Sequence, residues 1–345
     1  MMKMTPFVIG VGSSAVLISV VLVNVLMPYR VFRPAPSANA TPYTAEELRG
    51  RELYIENGCL YCHSQDTGPA DWGLGSGMAA EPGDYAYDSP HLIGSERNGP
   101  DLFREGGYHT DDWHWAHFED PRYTRPQSFM PSFKFIRGRD RDDLIAYMQC
   151  LGGRAGRKRA AEQARDKQIL ISYYKNGPAE NVRSLNATLP SGWLTMPNPV
   201  PLTPGSIGRG KDVYEAYCIG CHGEQGDGRG PAEKYLNPPP MDFTLMQATG
   251  AVAKARGGTQ GFKIYDVSQI NNGAIYFAVL YGLPGSAMPQ FKGQLESEKI
   301  WDVGNYIGYT FMGWPLQAYK GNYDELTLKE HDGKSFSQRR RSGVT

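Results

Sequence analysis

The sequence predicts a mainly α-helical protein, with an N-terminal transmembrane helix followed by two small domains of the same plan. The stretch Val8–Met27 carries no charge, and its twenty residues are enough to span about 30 Å of hydrocarbon as a helix. The remainder of the chain repeats itself once, at the scale of a domain. Its 41 glycines and 25 prolines indicate short helices joined by long loops.

The repeat is centred on the pattern Cys-x-x-Cys-His, which occurs at Cys59–His63 and at Cys218–His222. This pattern is the attachment signature of c-type haem: the thiols bond the haem vinyl groups and the histidine binds iron. The predicted attachment and iron-binding residues are Cys59, Cys62, His63, Cys218, Cys221 and His222. The alternative is a four-thiolate zinc site. Zinc pairs usually lie about 15–20 residues apart, much closer than these two motifs, so we predict two covalently bound haems c.

Each attachment motif is followed by a Met-Pro pair at nearly the same distance. Met130 lies 67 residues after His63, and Met288 lies 66 residues after His222. A thioether is a soft ligand, and His/Met ligation raises the reduction potential of a haem. We therefore predict Met130 and Met288 as the second axial ligands. Other methionines could compete as axial ligands, but we expect them in the core or in loops. They are Met78, Met148, Met196, Met241 and Met246.

The segments around the motifs also repeat. A helix-like segment that opens on a glycine, Gly50 or Gly210, precedes each motif. An acidic, amphipathic stretch follows each Met-Pro pair, at Asp142–Leu151 and Glu296–Phe311. This order of helix, attachment motif, methionine loop and final helix is that of the type I cytochrome c fold.

A ligating histidine usually donates its second ring N–H to a carbonyl or carboxylate, which fixes the ring. We expect the Pro100 carbonyl to accept this hydrogen bond from His63. For His222 the candidates are the three consecutive prolines Pro238–Pro240, and the sequence does not choose among them.

The predicted divisions are a transmembrane signal anchor (1–28), a tether (29–43), a first cytochrome c domain (44–152), a linker (153–207), a second cytochrome c domain (208–312) and a tail (313–345). The linker begins with a charged, helix-like stretch, Arg154–Lys167. Haem is attached on the exported side of the bacterial inner membrane, so we expect both domains on the periplasmic side. The formal net charge is zero, which gives no support to a nucleic-acid partner.

The region Cys59–Phe135 carries several further motifs in order. They are Tyr87-Asp88-Ser89-Pro90, Gly94 to Leu102, Gly106 to His114, and Asp120-Pro121-Arg122 before Met130-Pro131. Together with the anchor, this region resembles the membrane-anchored mono-haem subunit II (FixO-type) of cbb-type haem–copper oxidases. The second domain, with Gly226-Asp227-Gly228, resembles small cytochromes c, including the haem domains of the dihaem subunit of those oxidases.

The resemblance implies an electron-transfer subunit with no catalytic residues of its own. Electrons would arrive from a cytochrome c-type or cupredoxin donor and leave to an integral-membrane haem–copper catalytic subunit. The alternatives are a dihaem shuttle, or a subunit of another respiratory complex such as a nitric-oxide reductase or a quinol-oxidising complex. A dihaem peroxidase is a third possibility, but it needs an iron with an open sixth position, and both sites here have a methionine.

Three other residues have separate predictions. His114 and His117 lie three apart on a predicted helix, Asp111–Phe118, and one alternative is that they form a metal pair or supply another axial ligand. The family resemblance favours a structural or interface role for them. Cys150, the fifth cysteine, is predicted to be a buried, unmodified thiol.

Overall fold

The computed structural model describes residues 5–27, 35–65, 80–94, 97–176, 197–246, 272–314 and 316. Within these residues the protein is helical and contains no strand, as the sequence predicts. The α-helices of eight residues or more are α1 (Pro6–Val21), α2 (Ala45–Glu56), α3 (Asp111–Glu119), α4 (Arg139–Cys150), α5 (Gly153–Asn176), α6 (Pro204–Tyr217), α7 (Asn272–Tyr281) and α8 (Ser297–Thr310).

The N-terminal helix matches the predicted membrane span. Thr5 caps α1, its hydroxyl oxygen accepting a hydrogen bond from Val8 N at 3.3 Å. A π-helical turn, Leu22–Leu26, extends α1, and the 21-residue helix has a mean hydropathy of 2.3 in its most apolar window, none of which is buried. Of the helices in the described part of the chain, this one alone is long and apolar enough to cross a membrane. Residue 28 of the predicted anchor and residues 29–34 of the predicted tether lie outside the described residues.

The first domain is built on the crossing of helices α2 and α4. A capping box starts α2: Thr44 Oγ1 accepts from Glu47 N at 3.2 Å, and Glu47 Oε2 accepts from Thr44 N at 2.7 Å. Where the helices cross, a Cβ added to Gly50 would lie 1.9 Å from the Asp143 carbonyl oxygen. Beside this contact the Arg49 guanidinium donates to both carboxylate oxygens of Asp143, at 2.7 and 2.9 Å.

The second domain repeats this crossing with helices α6 and α8. A Cβ at Gly210 would lie 2.1 Å from the Asp302 carbonyl oxygen, and Arg209 donates to both Asp302 carboxylate oxygens at 2.8 and 2.9 Å. The expectation that each first helix opens on a glycine is therefore wrong. Gly50 and Gly210 lie inside their helices, because the backbone of the crossing helix leaves no room for a side chain. Helix α6 also begins at Pro204, ahead of the predicted domain boundary at 208.

Helix α5 joins the two domains and is longer than the predicted stretch Arg154–Lys167. Arg157 Nη2 donates to Glu47 Oε2 at 2.6 Å, which ties α5 to the start of α2. Further along the helix, Gln163 Oε1 accepts from Gly285 N at 2.7 Å, in the second domain. Residues 177–196 of the linker and 317–345 of the tail lie outside the described residues.

Replacing Gly50 or Gly210 by alanine should destabilise the corresponding domain by about 1–3 kcal/mol, because the added methyl group forces the crossing helices apart. The measurement is chemical denaturation of the full chain in detergent, followed by circular dichroism. Gly208→Ala is the matched control, since Gly208 is also in α6 but has nothing within 4 Å of its Cβ position. We expect that variant to gain about 0.5–1 kcal/mol from helix propensity, and equal losses in all three variants would contradict the crossing.

Candidate haem sites

The first attachment motif forms a tight turn directly after α2. Gly58 has a left-handed backbone (φ 71°), which ends the helix and starts the 3₁₀ turn Cys59–Tyr61. His63 N then donates to the Cys59 carbonyl at 2.9 Å. The Tyr54 hydroxyl, in the last turn of α2, donates to the His63 carbonyl at 2.6 Å and anchors the end of the motif.

The His63 ring is held through one of its nitrogens. Nδ1 lies 2.9 Å from the Pro100 carbonyl oxygen, the partner expected from the sequence. Gly99 packs flat against the ring, since a Cβ there would lie 2.3 Å from His63 Cε1, and Gly99 N donates to the Cys62 carbonyl at 2.7 Å. Burial lowers the pKa of His63, which favours the neutral imidazole that binds metals. This arrangement reserves Nε2 for a ligand.

The His222 ring is held in the same way by a different residue from the one expected. Its Nδ1 lies 3.1 Å from the Met241 carbonyl oxygen, and the Phe243 ring stacks on it at 4.6 Å between centroids. The prolines Pro238–Pro240 come directly before this carbonyl, so the predicted segment is right and the predicted residue is wrong. The restricted backbone of consecutive prolines directs the segment, and the next residue along reaches the ring. Burial again lowers the pKa of His222.

The predicted methionine ligands occupy equivalent turns. Met130 N donates to Ser128 Oγ at 3.2 Å, and Met288 N donates to Ser286 Oγ at 3.1 Å. Met130 packs on the same hydrophobic cluster as Cys59, and Met288 packs on the cluster that contains Cys218. Each domain therefore gathers its predicted thiol and its predicted methionine around one core. Binding of iron by these methionines stays a prediction.

Two of the competing methionines have clear positions. Met148 is 3% exposed and fills the core of the first domain. The Met241 carbonyl binds Nδ1 of His222, which puts the Met241 backbone on the side of the ring away from Nε2. Met78 and Met196 lie outside the described residues, as does the side chain of Met246.

The chemistry of these residues fits covalently held haem. All four motif cysteines are free of disulfides. Burial raises the pKa of Cys59 to about 11 and those of Cys218 and Cys221 to about 12, so without haem they remain protonated thiols. Among the described residues no group of three or more His, Cys, Asp or Glu side chains could hold a metal ion, which leaves the four-thiolate zinc alternative without support. When bound, haem would supply an iron that exchanges single electrons.

A buried cluster of aromatic and ionisable residues lies beside the first site, and no motif in the sequence predicts it as a unit. The Trp113 ring is sandwiched between His109 and His117, at centroid distances of 3.6 and 4.5 Å. The Glu105 carboxylate Oε1 lies 2.6 Å from His109 Nδ1 and 3.0 Å from His114 Nε2. Burial opposes the charge on Glu105, but contact with the two imidazoles lowers its pKa well below the usual value. Glu105 and His109 lie in a turn ahead of helix α3, so no helical spacing in the sequence pointed to their contact.

His114 and His117 are both engaged in this packing. Nδ1 of His114 lies 3.0 Å from the Thr110 carbonyl oxygen, and Nδ1 of His117 lies 2.6 Å from Thr124 Oγ1. Burial lowers the pKa of His117 well below its ordinary value, so this ring is neutral against Trp113. These contacts favour the structural role over the metal-pair alternative.

Cys150 is a thiol in the core of the first domain, and its burial agrees with the prediction from the sequence. It is 2% exposed, and its Sγ lies 3.1 Å from the Tyr147 carbonyl oxygen. Burial raises the pKa of Cys150, which keeps it protonated and unreactive.

Glu105→Gln should destabilise the protein at pH 7 by about 1–3 kcal/mol, because a charged acceptor for two buried imidazoles is lost. A carboxylate with a lowered folded pKa stabilises the protein above the ordinary glutamate value, about 4.3. That contribution disappears as the pH falls toward the folded value. The gap between wild type and variant should therefore narrow below about pH 4, measured as denaturation midpoints from pH 7 to 3. The role of Glu105 would be contradicted if the difference in denaturation midpoint stayed constant over this pH range. The same difference for the exposed control Glu224→Gln would also contradict it.

Comparison with known protein families agrees with the resemblance in the sequence. Residues 1–144 match the family described as cytochrome c oxidase, mono-haem subunit/FixO, and residues 205–307 match that of cbb3-type cytochrome c oxidase subunit III. The chain therefore joins a FixO-like region to a second cytochrome c region. Such domains imply haem c.

No curated protein sequence matches the chain. One solved structure with some similarity is the reducing HAO-like protein complex of Kuenenia stuttgartiensis. It is 18% identical over 79% of this chain and 97% of that chain, with a TM-score of 0.25. At that score the likeness carries no structural argument.

Proposed function

We propose, from these two family matches, that the protein is a membrane-anchored dihaem cytochrome c subunit of a cbb3-type oxidase. In this proposal it relays electrons from a cytochrome c-type or cupredoxin donor to the haem–copper catalytic subunit. The FixO region supplies the single-pass anchor. The haem domains lie on the periplasmic side of the bacterial inner membrane, where haem is attached to such motifs.

The observation that carries this proposal is the duplication of one site geometry. In both domains a Cys-x-x-Cys-His turn follows the first helix, and a backbone carbonyl holds Nδ1 of the histidine, His63 or His222. Each histidine is buried enough for its pKa to be lowered. The four thiols would hold the two haems covalently, and the carbonyls would orient the imidazoles. A protein of this kind binds, spaces and tunes its cofactors and performs no bond chemistry itself.

The proposed axial pairs are His63 with Met130 and His222 with Met288. Met130→Ala and Met288→Ala should each remove the sulfur-to-iron charge-transfer band of one haem, because no sulfur then reaches that iron. The measurement is the absorbance spectrum of the oxidised protein. Met148→Leu is the control, since Met148 is buried in the first-domain core and leucine has a similar volume. A band that survives both alanine substitutions would refute the ligand assignment.

The direction of electron flow follows from the position of the domains in the chain. The first domain is next to the anchor and lies in the region that matches the FixO family. We propose that electrons enter at the second site, pass to the first, and leave from there to the membrane-embedded partner.

His222→Ala should stop reduction of the first haem by the natural donor, because the entry site is lost. Turnover driven by an artificial reductant that reaches the first haem directly should continue. Stopped-flow absorbance at the first haem measures both rates. If the natural donor still filled the first haem at the full rate, the two sites would not act in series.

A further inference from the structure

The second attachment motif lies directly against the first domain. Gly220, the residue before Cys221, is buried, and a Cβ at this position would lie 2.2 Å from the Tyr123 carbonyl oxygen. Gly220 belongs to a helical turn, Ile219–His222, so its backbone conformation does not require glycine. Glycine is required here by the lack of space, because the side chain of any larger residue would push against the Pro121–Tyr123 turn of the first domain.

The first attachment motif provides an internal comparison. Tyr61 occupies the same position in that motif as Gly220 does in the second, and its side chain is 75% exposed. The motif itself thus accepts a large side chain at this position. The glycine in the second motif is explained by the contact between the domains, and haem attachment does not require it.

Further contacts of several kinds surround Gly220. An apolar cluster spans the boundary, with Trp113 and Ala116 of helix α3 packed against Ala232, Leu236 and Ala287 of the second domain. Cys221 packs against this same cluster. Ala116 and Ala232 are completely buried, which shows close packing where the domains meet.

Polar contacts fix the orientation of the domains. Asp112 Oδ2 accepts from Asn237 N at 2.9 Å and lies 2.9 Å from Lys167 Nζ of helix α5. This one carboxylate joins both domains and the linker. Tyr108 OH donates to the Gln290 carbonyl at 2.7 Å, two residues beyond Met288.

Helix α3 separates the two candidate haem sites. Its Phe118 and Trp115 pack on the first-domain core, which also contacts Cys59 and Met130. Its opposite side, with Trp113, packs on the cluster that contacts Cys221. The thickness of one helix with its side chains, about 10 Å, therefore lies between the surroundings of the two sites.

We propose that the second haem domain is permanently docked on the first through Gly220 and helix α3, so that electrons pass between the haems without domain movement. Gly220 and Asp112 act as positioning residues. This inference rests on the proposed function. One electron leaves the second site, which is oxidised, and enters the first, which is reduced. No bond or proton changes, and the donor replaces the electron.

The test compares Gly220→Tyr with Gly208→Tyr in the full chain, purified in detergent; Gly208 has nothing within 4 Å of its Cβ position. The first variant copies the residue found in the other motif, so both haems should remain attached, as measured by intact mass. After flash photoreduction with a flavin, inter-haem electron transfer in Gly220→Tyr should slow severalfold, because separating the domains lengthens the distance that the electron crosses. The Asn237 amide should exchange with deuterium faster, since Asp112 no longer covers it. Gly208→Tyr should behave as wild type.

Wild-type transfer should not change when glycerol raises the viscosity, because no domain has to move. The docking would be overturned if inter-haem electron transfer in the wild type slowed as the viscosity rose. It would also be overturned if Gly220→Tyr kept both haems and showed unchanged electron transfer and unchanged deuterium exchange at Asn237. If Gly220→Tyr lost its second haem, Asp112→Ala would give the same test outside the motif. Unchanged deuterium exchange at Asn237 and unchanged inter-haem electron transfer in Asp112→Ala would then contradict the docking. A wild-type chain without two haems would instead refute the proposed function.

Discussion

The close crossing of the first and last helices in each domain is the contact on which the rest of the site depends. At Gly50 and Gly210 the helix backbones approach so closely that no side chain fits between them. In each domain an arginine of the first helix donates hydrogen bonds to an aspartate of the last helix, Arg49 to Asp143 and Arg209 to Asp302. These bonds fix the angle and the register at which the two helices cross. Because the attachment motif follows the first helix directly, this crossing also sets where the thiols and the histidine lie. A tyrosine hydroxyl near the end of the first helix then fastens the end of the motif in each domain.

The same plan is used twice, but the surroundings of the two sites differ. In the first domain the motif surface at Tyr61 is open to solvent, and the buried cluster around Trp113 and Glu105 packs on helix α3. In the second domain the corresponding surface at Gly220 is covered by the first domain. In the proposed dihaem protein, duplication of the site would supply two similar redox centres, and the glycine at this one position lets the second domain pack against the first.

The sequence predicted the helical fold, the apolar N-terminal helix and the Pro100 contact, because each depends on a local pattern or on a spacing along the chain. It did not predict the role of Gly50, whose partner Asp143 lies far away in sequence, nor that Met241 would provide the carbonyl for His222. Contacts of this kind depend on the path of the chain in three dimensions. At Gly220 the sequence does show a difference, since the other motif has tyrosine at this position. Only the structure explains that difference, by placing the Tyr123 carbonyl against Gly220.

The most direct test of the central claim is to isolate the protein from its native membrane under mild detergent and identify what co-purifies. Mass spectrometry would identify the subunits, and optical and metal analysis would identify their cofactors. The account predicts a large integral-membrane subunit carrying b-type haem and copper, together with two c-type haems on this chain. Recovery of this chain alone with c-type haem, across several detergents, would contradict the assignment to an oxidase and favour a free-standing electron shuttle.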